Sequence, residues 1–95
     1  MKIKVTEKSI NEVEKEIKIP CYREDYYSVV KITDARIIRV WDWGEKDFYL
    51  QSHDVKDVGQ YFTKEWEAAT PEKFNKKFKE ATTFFNSLVE NPVQK

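Results

Sequence analysis

Thr70-Pro71-Glu-Lys-Phe74-Asn-Lys-Lys-Phe78-Lys-Glu-Ala81-Thr-Thr-Phe-Phe85-Asn-Ser-Leu88-Val89 reads as one amphipathic helix with both ends marked. Thr70 is a good N-cap, because its hydroxyl can accept from an orphan amide of the first turn. Pro71 follows at the first helical position, where a missing N–H costs nothing. Phe74, Phe78, Ala81, Phe85, Leu88 and Val89 fall on one face at the helical repeat, and Lys76, Lys79, Thr83 and Asn86 fall opposite. Asn91-Pro92 stops the run. A helix with a phenylalanine stripe must lie on an apolar surface, so the rest of the chain has to supply one.

Working outward, the preceding residues read as strands. Tyr26 to Ile32 and Ile37 to Trp41 are rich in β-branched and aromatic side chains. Thr33-Asp34-Ala35-Arg36 between them is short enough for a hairpin turn, with Asp34 as a turn former. Trp43-Gly44-Glu45-Lys46 reads as the next turn, with Gly44 free to take positive φ. Asp47 to Gln51 follows as a further strand. Nearer the start, Lys2 to Thr6 alternates, with Ile3 and Val5 on one side. Glu7-Lys8-Ser9 suits a turn. Ile10 to Ile19 fits either a helix capped by Ser9 or a strand; the alternation of Ile17-Lys18-Ile19 before Pro20 favours the strand. Arg23-Glu24-Asp25 reads as a polar break. Beyond Ser52, Val55, Val58, Tyr61 and Phe62 suggest a short helical turn from about Asp54, broken by Gly59, with Trp66 tucked under the loop.

The expected architecture is a single α+β domain: an antiparallel β-meander of about four strands, with the C-terminal helix packed on one face. Apolar side chains fall on both sheet faces. Tyr26, Val30 and Ile32 oppose Tyr27 and Val29; Ile38 and Val40 oppose Ile37, Trp41 and Trp43. One helix covers one face only. The N-terminal segment and the Ser52–Thr70 loop, or another molecule, must cover the other.

Composition narrows the function classes. The 95 residues suit one domain, and with 36% charged residues and only 2 glycines the chain does not resemble a disordered tail. The formal net charge is zero, which argues against a dedicated duplex-DNA binder. Cys21 is alone, so no internal disulfide can form, and a reducing cytoplasm is the expected compartment. The sequence shows no signal peptide, lipidation motif or membrane-spanning run.

Chemistry-bearing residues are sparse. His53, between Ser52 and Asp54 with Asp57 nearby, lacks the surroundings of a general base and reads as part of a turn or helix cap. One Cys and one His cannot complete a usual zinc set. Cys21 reads as a small buried hydrophobe. No cofactor-cradling glycine loop is present. Three features suit recognition instead. Glu12, Glu14 and Glu16, at strand spacing, would form an acidic ladder on one face, or simply guard an edge strand. Trp41 and Trp43 flank Asp42 on one strand face, as interface hot spots do, or cap the core. The aromatic residues Tyr22, Tyr26, Tyr27, Trp41, Trp43 and Tyr49, with Lys73, Lys76, Lys77 and Lys79 on the helix, would suit single-stranded nucleic acid.

Ile17-Lys-Ile-Pro-Cys-Tyr-Arg23, a β-meander, and Thr70-Pro-Glu-Lys-Phe-Asn-Lys-Lys-Phe78 opening a terminal helix resemble, in layout, small proteins encoded by phages and mobile elements of gut bacteria. The resemblance implies a short β-rich body with one helix and no catalytic set, acting in some cases as an inhibitor that binds a host protein directly. The expected function is therefore a non-enzymatic protein-binding module using Trp41, Trp43, Glu12, Glu14 and Glu16, as a monomer or as a homodimer that buries the second sheet face. A single-stranded nucleic-acid binder is the alternative.

Overall fold

A computed structural model describes residues 1–7, 11–44 and 47–90, without the side chains of residues 5–7, 11–13 and 90. The expected Ser9 cap, the Glu45-Lys46 part of the turn and the Asn91-Pro92 stop lie outside the described residues, as does the side chain of Glu12. The order of elements is β1 (Lys2–Glu7), β2 (Asn11–Glu16), β3 (Cys21–Glu24), β4 (Ser28–Ile32), β5 (Arg36–Asp42), β6 (Phe48–Asp54), a 3-10 helix (Val55–Phe62), β7 (Glu67–Ala68) and α1 (Pro71–Glu90). The chain is α+β, as its pattern indicates.

β3 to β7 form a five-stranded antiparallel sheet in the order β6-β5-β4-β3-β7, and β1 pairs with β2 as a separate two-stranded sheet. Within the ambiguous Ile10–Ile19 stretch, Asn11–Glu16 form a strand, whereas Ile17-Lys18-Ile19, whose alternation favours one, lie beyond its end. Several sequence expectations are corrected. Arg23 and Glu24 of the expected polar break belong instead to a sheet strand, Cys21–Glu24, because both its edges find partners, in β4 and β7; only Asp25 lies outside it. Tyr26 and Tyr27 lie outside β4, in a turn that the Asp25 carboxylate closes by accepting from the amides of Tyr27 at 3.1 Å and Ser28 at 2.8 Å. The β4–β5 turn is organised by Thr33 rather than Asp34: its hydroxyl accepts from the Arg36 amide at 3.0 Å. At the next turn Gly44 takes φ of +88°, as its position requires.

The sheet is buried on both faces by different elements. On one, α1 covers Val29, Val40 and Phe48 with Phe74 and Ala81, flanked by Tyr22, Ile38, Leu50, Phe84 and Phe85. Thr70 caps this helix, its hydroxyl accepting from the Lys73 amide at 3.1 Å. The expected stripe is turned a little toward Lys77 and Phe84. Phe78 is therefore half-exposed, and Leu88 and Val89 are exposed. Lys77 donates to Asp42 and Lys73 to Glu24, tying the helix to the sheet. The Lys77 hydrogen bond holds the Asp42 carboxyl below the usual carboxylate range, with the Gly44 amide adding to the effect. Asp42 in turn raises the Lys77 ammonium above its ordinary value.

On the other face, Val30, Ile32 and Ile37 lie under Ile3, Val58 and Tyr61, so the β1–β2 hairpin and the 3-10 helix supply the second layer. Arg23 pins this layer by donating to the carbonyls of Tyr61 at 3.0 Å and Trp66 at 3.1 Å. Gly59 does not break the 3-10 helix; it lets β1 approach. A Cβ at this position would lie 2.7 Å from the Lys4 carbonyl oxygen, which is backbone and cannot swing aside. Gly59→Ala is thus expected to cost about 1–3 kcal/mol, read as a lower urea midpoint with faster amide exchange in β1.

Candidate aromatic recognition site

The hairpin covers only part of its face. On β5 the residues of that face alternate as Ile37, Arg39 and Trp41, with Trp43 continuing past the strand end. Ile37 is buried in the cluster with Ile3, Val58 and Tyr61. From Arg39 onward the face carries a column of stacked planar groups. The Arg39 guanidinium lies 3.5 Å from the Trp41 ring centroid and 4.8 Å from that of Trp66. Trp41 stacks on Trp43 at 5.0 Å with only 14° between planes. Trp43 meets Tyr27 at 5.1 Å, and Tyr27 meets Tyr26 edge-on at 4.7 Å. Across the sheet, Tyr49 of β6 pairs with Trp41, and Gln51 with Arg39.

Arg39 anchors this column. Its Nε donates to the Ser28 hydroxyl at 2.8 Å, and a terminal nitrogen donates to Asp25 Oδ2 at 3.2 Å. The Ser28 hydroxyl donates onward to Asp25 Oδ1 at 2.8 Å. One carboxylate therefore both shapes the Tyr26–Tyr27 turn and neutralises the cation between the tryptophans. Burial pulls Arg39 below the ordinary guanidinium value, opposed by Tyr61 and Asp25. Burial also pushes the Tyr61 hydroxyl up, against the pull of Arg39.

Exposure grades along the column. Trp41 is largely covered, Trp43 is 50% exposed, Tyr27 47% and Tyr26 90%, with Tyr49 beside them at 54%. The Trp41 indole N–H is buried and meets no acceptor among the described residues. Trp41 has Arg39 on one ring face and Trp43 on the other. Trp43 stacks on Trp41 and meets Tyr27 at a tilt of 37°.

The other sequence candidates are placed elsewhere. Glu14 and Glu16 are exposed on the two-stranded sheet, opposite Lys4 and Lys2 of β1, and Lys2 Nζ lies 3.8 Å from Glu14. Facing lysines turn the acidic ladder into a face of mixed charge. The main chain of Glu12 pairs with Thr6. The helix lysines lie on α1, on the opposite sheet face from Trp41, but Lys73 and Lys77 reach the end of the column and line a groove with Tyr26 and Tyr27; both are ion-paired. His53 shares a hydrogen bond with the Tyr61 hydroxyl, and its Nδ1 lies 3.6 Å from Asp57. Ser52 is turned away, its hydroxyl accepting from Arg36 Nε at 3.1 Å. Cys21 is half-buried against the hairpin-side core, and burial raises its thiol pKa.

Trp41 and Trp43 are thus brought together as their spacing implied, whereas the sequence reading missed Arg39, Asp25 and Trp66. Arg39 carried a signal, two residues before Trp41 on the same face of an alternating strand. Asp25 carried none, because its role needs the β4–β5 register. No helix among the described residues is long and apolar enough to cross a membrane. No family model matches the chain. No curated protein and no solved structure is significantly similar to it.

Proposed function

We propose that this chain is a non-enzymatic protein-binding module that docks a partner protein on Trp43, Tyr27, Tyr26 and Tyr49. The observation that carries the reading is the graded column: an Arg39-anchored base whose aromatic end runs from half-exposed Trp43 and Tyr27 to almost fully exposed Tyr26. Pre-organised aromatic anchors lose little rotamer freedom on binding and are the residues most enriched in hot spots. Single-stranded nucleic acid fits less well. Base stacking needs free ring faces; here Trp41 is stacked against Arg39 and Trp43, and the two lysines beside Tyr26 and Tyr27, Lys73 and Lys77, are already ion-paired with Glu24 and Asp42. The lone half-buried Cys21 suits a reducing cytoplasm, and the resemblance to phage-encoded proteins makes a host protein the first class of partner to test, with inhibition as its consequence.

Trp43→Ala is the informative variant, since Trp41 is sandwiched and its loss would disturb the fold. Capture from a host lysate by the wild-type chain, followed by titration of the purified partner, is expected to show a loss of about 2 kcal/mol or more for Trp43→Ala, roughly thirtyfold in affinity. Far-ultraviolet circular dichroism should be unchanged. Equal affinity of the two proteins removes this face from consideration, and a low-salt mobility shift with single-stranded oligonucleotides would favour the nucleic-acid alternative.

A further inference from the structure

β6 and β7 are the two edges of the five-stranded sheet. β7 is only two residues long, whereas β6 runs for seven in unbroken register with β5. The hydrogen-bond phase shows which β6 groups point outward. The Asp42 amide donates to the Tyr27 carbonyl, so the even-numbered residues of β5 aim their backbone at β4. The odd-numbered residues aim at β6, where they face Tyr49, Gln51 and His53, and the Trp43 amide donating to the Asp47 carbonyl continues that series. The N–H and C=O groups of Phe48, Leu50 and Ser52 therefore point away from the sheet. Among the described residues no strand pairs with them.

Long sheet edges are normally blunted by lysine, proline, a bulge or shortness. Phe48-Tyr-Leu-Gln-Ser-His-Asp54 has none of these. Beside this edge, on the helix side, a groove of about 450 Å³ is lined by Phe48, Lys79, Glu80, Thr83, Phe84 and Ser87. α1 reaches this edge at the Phe84–Phe48 contact. Leu88 and Val89 lie on the following turn, 50% and 78% exposed.

We propose that β6 pairs antiparallel with β6 of a second copy, joining two five-stranded sheets across a two-fold axis at Leu50. The outward groups allow this register, which pairs all three of them. Leu50 of each copy faces Leu50 of the other, and Phe48 faces Ser52, so each opposed pair exchanges both backbone hydrogen bonds. On the opposite face Tyr49 meets Gln51. No like charges are opposed in this register. The neighbouring register, centred on Gln51, would set the Phe48 ring against the Asp54 carboxylate. The groove beside the edge offers both a cation and an anion, Lys79 and Glu80, to its own image, and the two-fold brings the apolar ends of both helices to the same side. Trp43 lies outside this surface although Tyr49 of β6 borders both, so Trp43→Ala separates the pairing from the partner-binding reading.

Sedimentation velocity over a concentration series tests it. The wild-type mass is expected to rise from 11.4 kDa toward twice that value. Ser52→Pro deletes an outward amide that β5 does not use, and Ser52→Lys installs an edge guard. Each should weaken association by at least about tenfold with unchanged circular dichroism, and Trp43→Ala should leave it intact. In the wild-type protein, exchange of the Leu50 and Ser52 amides should slow as concentration rises, a measurement that holds even if a variant misfolds. A wild-type chain that stays at 11.4 kDa throughout, a dimer indifferent to both Ser52 substitutions, or one abolished by Trp43→Ala overturns the proposal.

Discussion

Arg39→Ala is expected to lower the stability of the fold by about 3 kcal/mol, the lower end of the range for breaking a buried ion pair. Its side chain is 11% exposed and that of Asp25 23%. Deleting the cation leaves a shielded carboxylate whose remaining donors are the amides of Tyr27 and Ser28 and the Ser28 hydroxyl. Those donors soften the penalty without removing it. The substitution also empties the slot between Trp41 and Trp66, so dispersion and cation–π contacts vanish together. Urea denaturation followed by tryptophan fluorescence gives the free energy, and the near-ultraviolet dichroism of the Trp41–Trp43 pair reports whether the column still stacks. Arg39→Met restores packing without charge and should recover part of the loss. A cost below about 1 kcal/mol would place the pair among solvent-screened ion pairs and would detach the aromatic column from its supposed anchor.

What could be read from the chain followed the range of the interaction involved. Helix start, turn chemistry and strand alternation are local, and Thr70, Gly44 and the Trp41/Trp43 spacing were legible for that reason. β3 was not, because Cys21–Glu24 gains strand character from flanking partners rather than from its own residues. The charge of the Glu14/Glu16 face depended on which strand lies opposite, and β1 supplies lysines there. The outer end of α1 was misread for a geometric reason. Twenty helical residues span about 30 Å, whereas five strands at about 4.8 Å spacing occupy roughly 19 Å. A helix that starts near β3, with Lys73 on Glu24, and reaches β6 through Phe84 has little sheet left for its last turn. Periodicity places Leu88 and Val89 on the apolar side; it cannot say where the sheet beneath them ends.

The second large effect belongs to Phe74. It is 3% exposed, sits in the cluster with Val29 and Val40, and contacts the Tyr22 ring at 5.8 Å. Phe74→Ala is expected to cost about 3–5 kcal/mol, combining lost transfer energy with the cavity left behind. A small domain holds only about 5–15 kcal/mol in total, so the melting temperature should fall by roughly 15–30 °C. Phe78 provides the internal comparison. It stacks on Phe74 at 5.7 Å but remains 37% exposed; its replacement by alanine should cost under about 1.5 kcal/mol, since much of the ring is already in water. The helical repeat alone treats the two rings as equals, and only docking in the rotated orientation separates them. Thermal melts of the two variants therefore measure the docking itself. Equal losses at both positions would mean that α1 does not lie on the sheet as described, and the β6 edge beside Phe84 would lose its neighbouring groove.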